Sequence, residues 1–362
     1  MPEQCLTAPT EWDPSPFRAA VQTTLDEFLA VQTDRLRDLG PDATRLLDEA
    51  RTSLSGGKRF RATFAWWGHR AVRPEVTDER ALLRACSALE LLQASALVHD
   101  DLMDASDTRR GRLAAHKSLE QEHLSRGWPG DSAQYGAAAA ILLGDLLLAW
   151  SDELLRGCGL PLADVAPALE IFDLCRSEVI AGQFLDVSVQ ARGHADVDEA
   201  MTVLRYKSAK YSIERPLHVG AALAGATPEV IEALSAFGLP LGEAFQLRDD
   251  ILGVYGDPAA TGKPAGDDLV EGKRTVLVAL ALANASPADA ATLDQALGSP
   301  LDTTQVDQLR GIITDSGARA EVEQMITALV SQALRGLDAT GLDPHACGVL
   351  RWLAEAVTQR TV

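Results

Sequence analysis

Residues 82–104 read LLRACSALELLQASALVHDDLMD, and their pattern decides the fold class. Small and apolar residues fill nearly every position, with no alternating β-branched run. The segment therefore reads as one long helix, apolar almost all round until its C-terminal turn. Such a helix is buried on all sides. At roughly 100° per residue, Asp100, Asp101 and Asp104 share one face of that last turn. Their mutual repulsion falls at a helix end whose dipole also disfavours anions, so a cation is expected to offset it. Mg²⁺ suits, because it takes one or two carboxylates and completes its shell with water and phosphate. For this cluster alone, a solvated acidic helix end is the other reading.

Residues 230–255 behave alike and end in RDDILGVYGDP. Asp249-Asp250, with Asp257 seven residues on, is a weak signal alone. Paired with the first cluster, it suggests carboxylates facing each other across a central cavity. Pro240 is expected to kink or split this helix. Gly-, Pro- and Asp-rich clusters at 55–57, 127–131, 157–161, 193–196 and 257–266 mark breaks between helices. No GxGxxG, Walker loop, GxSxG elbow or fixed-period repeat occurs. The expected organisation is a loose N-terminal arm over 1–15, which holds three prolines, and a single all-α domain of ten or more helices over 16–362.

The 362 residues carry 33 Lys plus Arg against 52 Asp plus Glu, a net charge of −19. That excludes nucleic acid or an anionic membrane surface as the main partner. An anionic small substrate must then be met by local cations or a metal. Basic residues are indeed clustered: GGKRFR at 56–61, Arg109-Arg110-Gly111-Arg112, Lys207 and Lys210, Lys263, and Lys273-Arg274. Forked Arg and point-charge Lys suit diphosphate. Five scattered Cys without a CxxC pair argue against a disulfide framework or structural zinc, and Cys86 and Cys175 read as core residues. No signal peptide is read at the start, and the apolar stretch 137–150 is too short to span a bilayer, so a cytoplasmic location is expected.

Taken together, these blocks resemble the trans-isoprenyl diphosphate synthases, the polyprenyl synthetase family, and most of all the geranylgeranyl diphosphate synthases of actinobacteria. GGKRFR, HDDLMDASDTRRGR, GQFLD at 182–186, YKSAK at 206–210 and FQLRDDILGVYGDPAATGKPAGDDLVEGKRT follow in family order between about residues 50 and 280. The resemblance implies an isoprenoid-synthase-type bundle of mostly antiparallel helices around a central cavity, a homodimer, and three Mg²⁺ ions. It implies that Asp100, Asp101 and Asp104 with Asp249, helped by Asp250, hold the metal that binds an allylic diphosphate (dimethylallyl, geranyl or farnesyl). Arg109, Lys207 and Lys263 would contact that diphosphate. Gly57, Lys58, Arg61, Gln93 and Arg110 would bind isopentenyl diphosphate, Gln93 standing where many members have His. Gln183 and Lys207 would lie near the reacting carbon, with Ser208 and Gln246 also in the substrate site. Departure of the diphosphate leaves an allylic cation, the C=C of isopentenyl diphosphate attacks it, and a proton is lost to the released diphosphate. No protein nucleophile is needed, and His99 is expected to be structural.

The sequence departs from the family pattern at Gly253, where a third Asp is usual. On product length, Ser95 and Ala96 are expected one turn below Asp100 on the same face. Both are small where fifteen-carbon enzymes often carry aromatics, with Leu92 as part of the floor. A C20 product is expected, C25 or longer being the alternative. A class I terpene cyclase and a non-catalytic partner subunit are the other readings. The cyclase motif is lacking, since the only Asn is Asn284, and the first Asp cluster is complete.

Overall fold

The computed structural model describes residues 12–257 and 266–359. They fall into two compact units. One is built from Asp13–Trp66 and Val76–Leu169, the other from Trp12, Trp67–Glu75 and the described residues from Glu170 on, with α3 (Phe60–Val72) and α7 (Leu162–Arg192) contributing residues to both.

The first unit holds α1 (Ser15–Leu36), α2 (Pro41–Ser53), most of α3, α4 (Glu79–Met103), α5 (Ala115–Ser125) and α6 (Ser132–Arg156). α4 is the helix quoted above, and it packs against α1, α5 and α6. Leu82, Leu89, Leu91 and Leu92 are buried, each contributing roughly 1.5–3 kcal/mol by leaving water. Asp78 caps its start by accepting from Ala81 N at 2.9 Å. α4 is long and apolar enough to cross a membrane, but 72% of its apolar window is buried inside the protein. Its end is a Schellman turn. Ala105 sits in the left-handed region at φ 53°, and Ser106 N donates to Asp101 O at 2.9 Å. A two-residue hairpin follows, β1 (Thr108–Arg109) with β2 (Arg112–Leu113). Arg110 and Gly111 both have positive φ, the geometry of a type I′ turn.

The second unit holds α8 (Val197–Leu204), a π-helical segment (Arg205–Glu214), α9 (Arg215–Leu223), α10 (Pro228–Tyr255), α11 (Asp267–Glu271), α12 (Val276–Asn284), α13 (Pro287–Ala296), α14 (Thr303–Asp315), α15 (Ala318–Asp338) and α16 (Pro344–Thr358). α10 is its central helix, packed on α15 and on the π-helical segment. It runs unbroken through Pro240, against the expectation of a split, because the proline is buried in a helix packed along its length.

Candidate active site

In the first unit the acidic residues gather at the end of α4. Asp101 is only 3% exposed, and Arg109 Nε donates to its Oδ1 at 2.8 Å. Arg109 Nη2 also lies 3.7 Å from Asp100 Oδ2. The hairpin brings this about: the Schellman stop turns the chain, and the type I′ turn folds Arg109 back onto the cluster. Beside it, Arg110 Nη1 donates to Ser55 O at 3.1 Å, and its guanidinium lies against Gly57, where an added Cβ would meet Arg110 Nη2 at 3.1 Å. Burial, then the neighbouring charges of Arg59, Arg109 and Arg61, pull the Arg110 pKa below its ordinary value. So Gly57, Arg61, Arg109 and Arg110 meet in one electropositive corner, with Lys58 exposed and its ammonium 5.9 Å from the Phe60 ring centre.

Sequence reasoning passed over Arg59 in the GGKRFR block. It is buried at φ 55°, its Nη1 lies 3.3 Å from Glu90 Oε2, and its Nη2 donates to Gln22 Oε1 at 2.6 Å. Arg59 therefore builds the loop that presents its neighbours.

Along α4, Gln93, Ala96, Leu97, Asp100 and Asp104 stay partly open while the residues between are mostly buried. Ala96 thus shares the open stripe with Asp100. Ser95 corrects the earlier expectation. Five residues from Asp100 is about 140° round the helix, and Ser95 is 2% exposed, turned into the packing. Leu92 is buried as well. The His99 ring fills the hollow above Gly144, with Nε2 3.2 Å from Ile141 O and 3.6 Å from Asp145. It joins α4 to α6.

In the second unit, two glycines let the π-helical segment approach its neighbours. A Cβ on Gly182 of α7 would lie 2.7 Å from Lys207 Cα, and one on Gly242 of α10 would lie 2.9 Å from Ala209 Cα. The segment carries Lys207 and Ser208, both half-buried, and Gln183 is adjacent to Gly182. Lys207 Nζ donates to Asp186 Oδ2 at 2.6 Å. Lys210 is taken up structurally, by Glu178 at 2.9 Å and Glu214 at 3.7 Å.

On α10, Gln246 Nε2 donates to Asp250 Oδ1 at 2.9 Å. Burial, then the charges of Asp268 and Asp249, push the Asp250 pKa up to about 8 despite that hydrogen bond. Lys263 lies outside the described residues, as does most of the 1–15 arm. Among the described residues, no group of three or more His, Cys, Asp or Glu is placed to hold a metal ion by itself. The donors are hard carboxylate oxygens, and Asp250 is crowded by like charge, which a divalent cation relieves. This set fits Mg²⁺, whose shell is normally completed by water and substrate phosphate.

Each unit thus has a long buried helix that ends in an acidic turn, and basic side chains of its own, parts that suit a prenyltransferase. The polyprenyl synthetase family model matches residues 44–315, and the chain belongs to that family. It has the isoprenoid synthase fold and is a trans-prenyl diphosphate synthase. A crystal structure of geranylgeranyl pyrophosphate synthase from Corynebacterium glutamicum, complexed with isoprenyl diphosphate and magnesium, is similar at 39% identity and a TM-score of 0.94, covering 97% of this chain and 100% of that one. A geranylfarnesyl diphosphate synthase of Aeropyrum pernix is 30% identical, over 92% of this chain and 97% of its own. A (2E,6E)-farnesyl diphosphate synthase of Mycobacterium tuberculosis is 32% identical, over 78% and 75%.

Proposed function

We propose that the protein catalyses the Mg²⁺-dependent 1′–4 condensation of isopentenyl diphosphate with an allylic diphosphate, and that its product is geranylgeranyl diphosphate. The observation that carries the product length is the open stripe on α4. The residue one turn below Asp100 on that stripe is Ala96, which leaves room for a growing chain. The similarity to a geranylgeranyl pyrophosphate synthase over the full chain supports the same length.

Asp100, Asp101, Asp104, Asp249 and Asp250 are the residues that would hold Mg²⁺, which when bound stabilises the charge of a departing diphosphate. Arg109, Lys207 and Lys263 bind the allylic diphosphate. Gly57, Lys58, Arg61, Gln93 and Arg110 bind isopentenyl diphosphate, and Gln183, Ser208 and Gln246 orient the substrates. The test is an incubation of purified protein and Mg²⁺ with labelled isopentenyl diphosphate and C5, C10 or C15 starters, with products sized. Label accumulating at C20 supports the proposal, and product ending at C25 moves the stop one unit further. No incorporation refutes it, in favour of a cyclase or a non-catalytic subunit.

The enzyme acts in the cytoplasm as a homodimer. Among the described residues, Cys86, Cys158 and Cys347 are free and buried and Cys175 is buried too, which suits a reducing compartment. Supporting the dimer, α7 exposes Leu174, Ile180, Phe184, Leu185 and Val187 along one side, with Phe184 70% exposed. Exposed apolar stripes of this kind mark association surfaces. Phe184→Asp is expected to convert dimer to monomer in sedimentation velocity. An unchanged sedimentation coefficient removes α7 from the interface.

A further inference from the structure

Glycines flank the π-helical segment on both sides. Gly182 of α7 meets its backbone at Lys207, and Gly242 of α10 meets it at Ala209. Gly238, one turn before Gly242, meets it at Glu214, where an added Cβ would lie 3.1 Å from Glu214 Cα. Such contacts let backbones come close, but a glycine has no side chain to fix where along the helix the segment stops. A π-helix is usually no more than a single turn, so ten residues of it need contacts from outside to hold them.

Those contacts come from one stripe of α7, where Glu178, Gly182 and Asp186 recur every four residues. At one end, Asp186 Oδ2 accepts from Lys207 Nζ at 2.6 Å. Two turns away, about 12 Å along the axis, Glu178 takes three donors. Its Oε1 accepts from Lys210 Nζ at 2.9 Å and from Arg215 Nη2 at 2.8 Å, and its Oε2 accepts from Arg215 Nε at 2.7 Å. The side chains of Glu178, Lys210 and Arg215 are only 12–13% exposed, so salt and water screen these contacts weakly. Burial raises the Glu178 pKa, but the bonds from Arg215 and Lys210 outweigh it and hold the carboxyl below its ordinary value. Lys207 and Lys210 are alike in chemistry and three residues apart, so a displaced segment could offer either to Asp186. Glu178 tells them apart, because it takes a lysine together with an arginine five residues on. Lys210 has Arg215 there, whereas Lys207 has Ser212.

We propose that Glu178 is a positioning residue for the reaction: by holding Lys210 and Arg215 together it fixes the register of the π-helical segment along α7, and so places Lys207 where the allylic diphosphate binds. The proposal rests on the role of Lys207 read above.

The test is a double-mutant cycle between Glu178→Gln and Lys207→Met. It is read as kcat/KM for the allylic diphosphate, at saturating isopentenyl diphosphate and Mg²⁺ and below each variant's melting temperature. Glu178→Gln keeps the shape and removes the charge. It is expected to lower kcat/KM about 10- to 10²-fold, as displacement of a binding group does. Lys210→Met removes one donor and is expected to act in the same direction. In the Lys207→Met background, Glu178→Gln is expected to change kcat/KM less than twofold, because the group it positions is gone. An equal loss in both backgrounds shows a structural role alone and overturns the proposal, as does Glu178→Gln within twofold of the parent. If Glu178→Gln does not fold, Lys210→Met takes its place in the cycle and the same outcomes decide. Lys207→Met separates the two readings. If it turns over as the parent does, the role of Lys207 fails and the proposal with it. If it is slow while Glu178→Gln is not, only the role of Glu178 fails.

Discussion

Asp101 is nearly closed off from solvent and is paired with Arg109, so its charge is held in place before any ligand arrives. Asp101→Asn keeps the shape and removes the charge. It is expected to lower kcat by about 10²-fold or more, in steady-state assays at saturating Mg²⁺. Ala96 and Ser95 separate two effects. Ala96→Phe puts a ring on the open stripe and is expected to shorten the product towards C15, read by chromatography of the dephosphorylated products. Retention of C20 would refute that placement of the floor. Ser95→Phe forces a ring into close packing and is expected to cost about 1–3 kcal/mol of stability without shortening the chain. The Asp cluster was legible in the sequence because helical period alone gathers its three residues. The difference between Ser95 and Ala96 was legible too, since one residue is a 100° turn, but the wheel has to be applied to each position. The pairing of Glu178 with Lys210 was not legible, because that contact joins two helices and no periodicity reports it.

At the scale of elements, the π-helical segment shows what local pattern omits. RYKSAKYSIE reads simply as helix. Its π geometry follows from packing between Gly182 on one side and Gly242 on the other, and neither glycine signals that from its own neighbours. Gly242→Ala has no empty volume to enter. It is expected to lower stability by about 1–3 kcal/mol in thermal melts and to reduce kcat by shifting Lys207. An unchanged melting temperature and rate would show that the segment yields freely. The helix ends were easier. The breaks read at 127–131 and 193–196 end in Asp131 and Asp196, each of which accepts backbone hydrogen bonds at the start of the next helix. The hairpin at 108–113 was hidden inside a motif read for its charges, because only Gly111 of its two turn residues is a type that favours positive φ.

For the whole molecule, the net charge of −19 conceals histidines that behave as bases kept neutral. His218 accepts from Arg215 Nη1 at 3.2 Å through Nδ1, since a guanidinium can only donate, and its Nε2 faces Ser235 Oγ at 3.1 Å. Burial, then the charges of Arg215 and Lys210, pull its pKa down to about 3. His69 is pulled down to about 4 by burial, then by Arg73 and Arg70. Unfolded, both would titrate near the ordinary value of about 6.5. Below that pH the unfolded chain gains protons that the folded one refuses. The contribution of the two histidines is therefore full above about pH 6.5 and drains away as the pH falls, by on the order of 2 kcal/mol each at pH 5, while the raised pKa of Asp250 works in the opposite direction. Between pH 7 and 5, His218→Gln should therefore lose less melting temperature than the parent, since it lacks one of the two histidine contributions. An equally steep slope in His218→Gln would assign the loss to other groups.

The glycines that admit the Lys207 segment also bear on how this chain can change over generations. Positions 182, 238 and 242 each face another backbone or a packed side chain within 3.1 Å of an added methyl. A mutational library would find them closed. Ala96, on the open stripe, accepts replacement at little structural cost. If Ala96 lines the tail as proposed, variation is thus steered away from the residues that hold the lysine and towards product length, which can drift while the diphosphate chemistry stays the same.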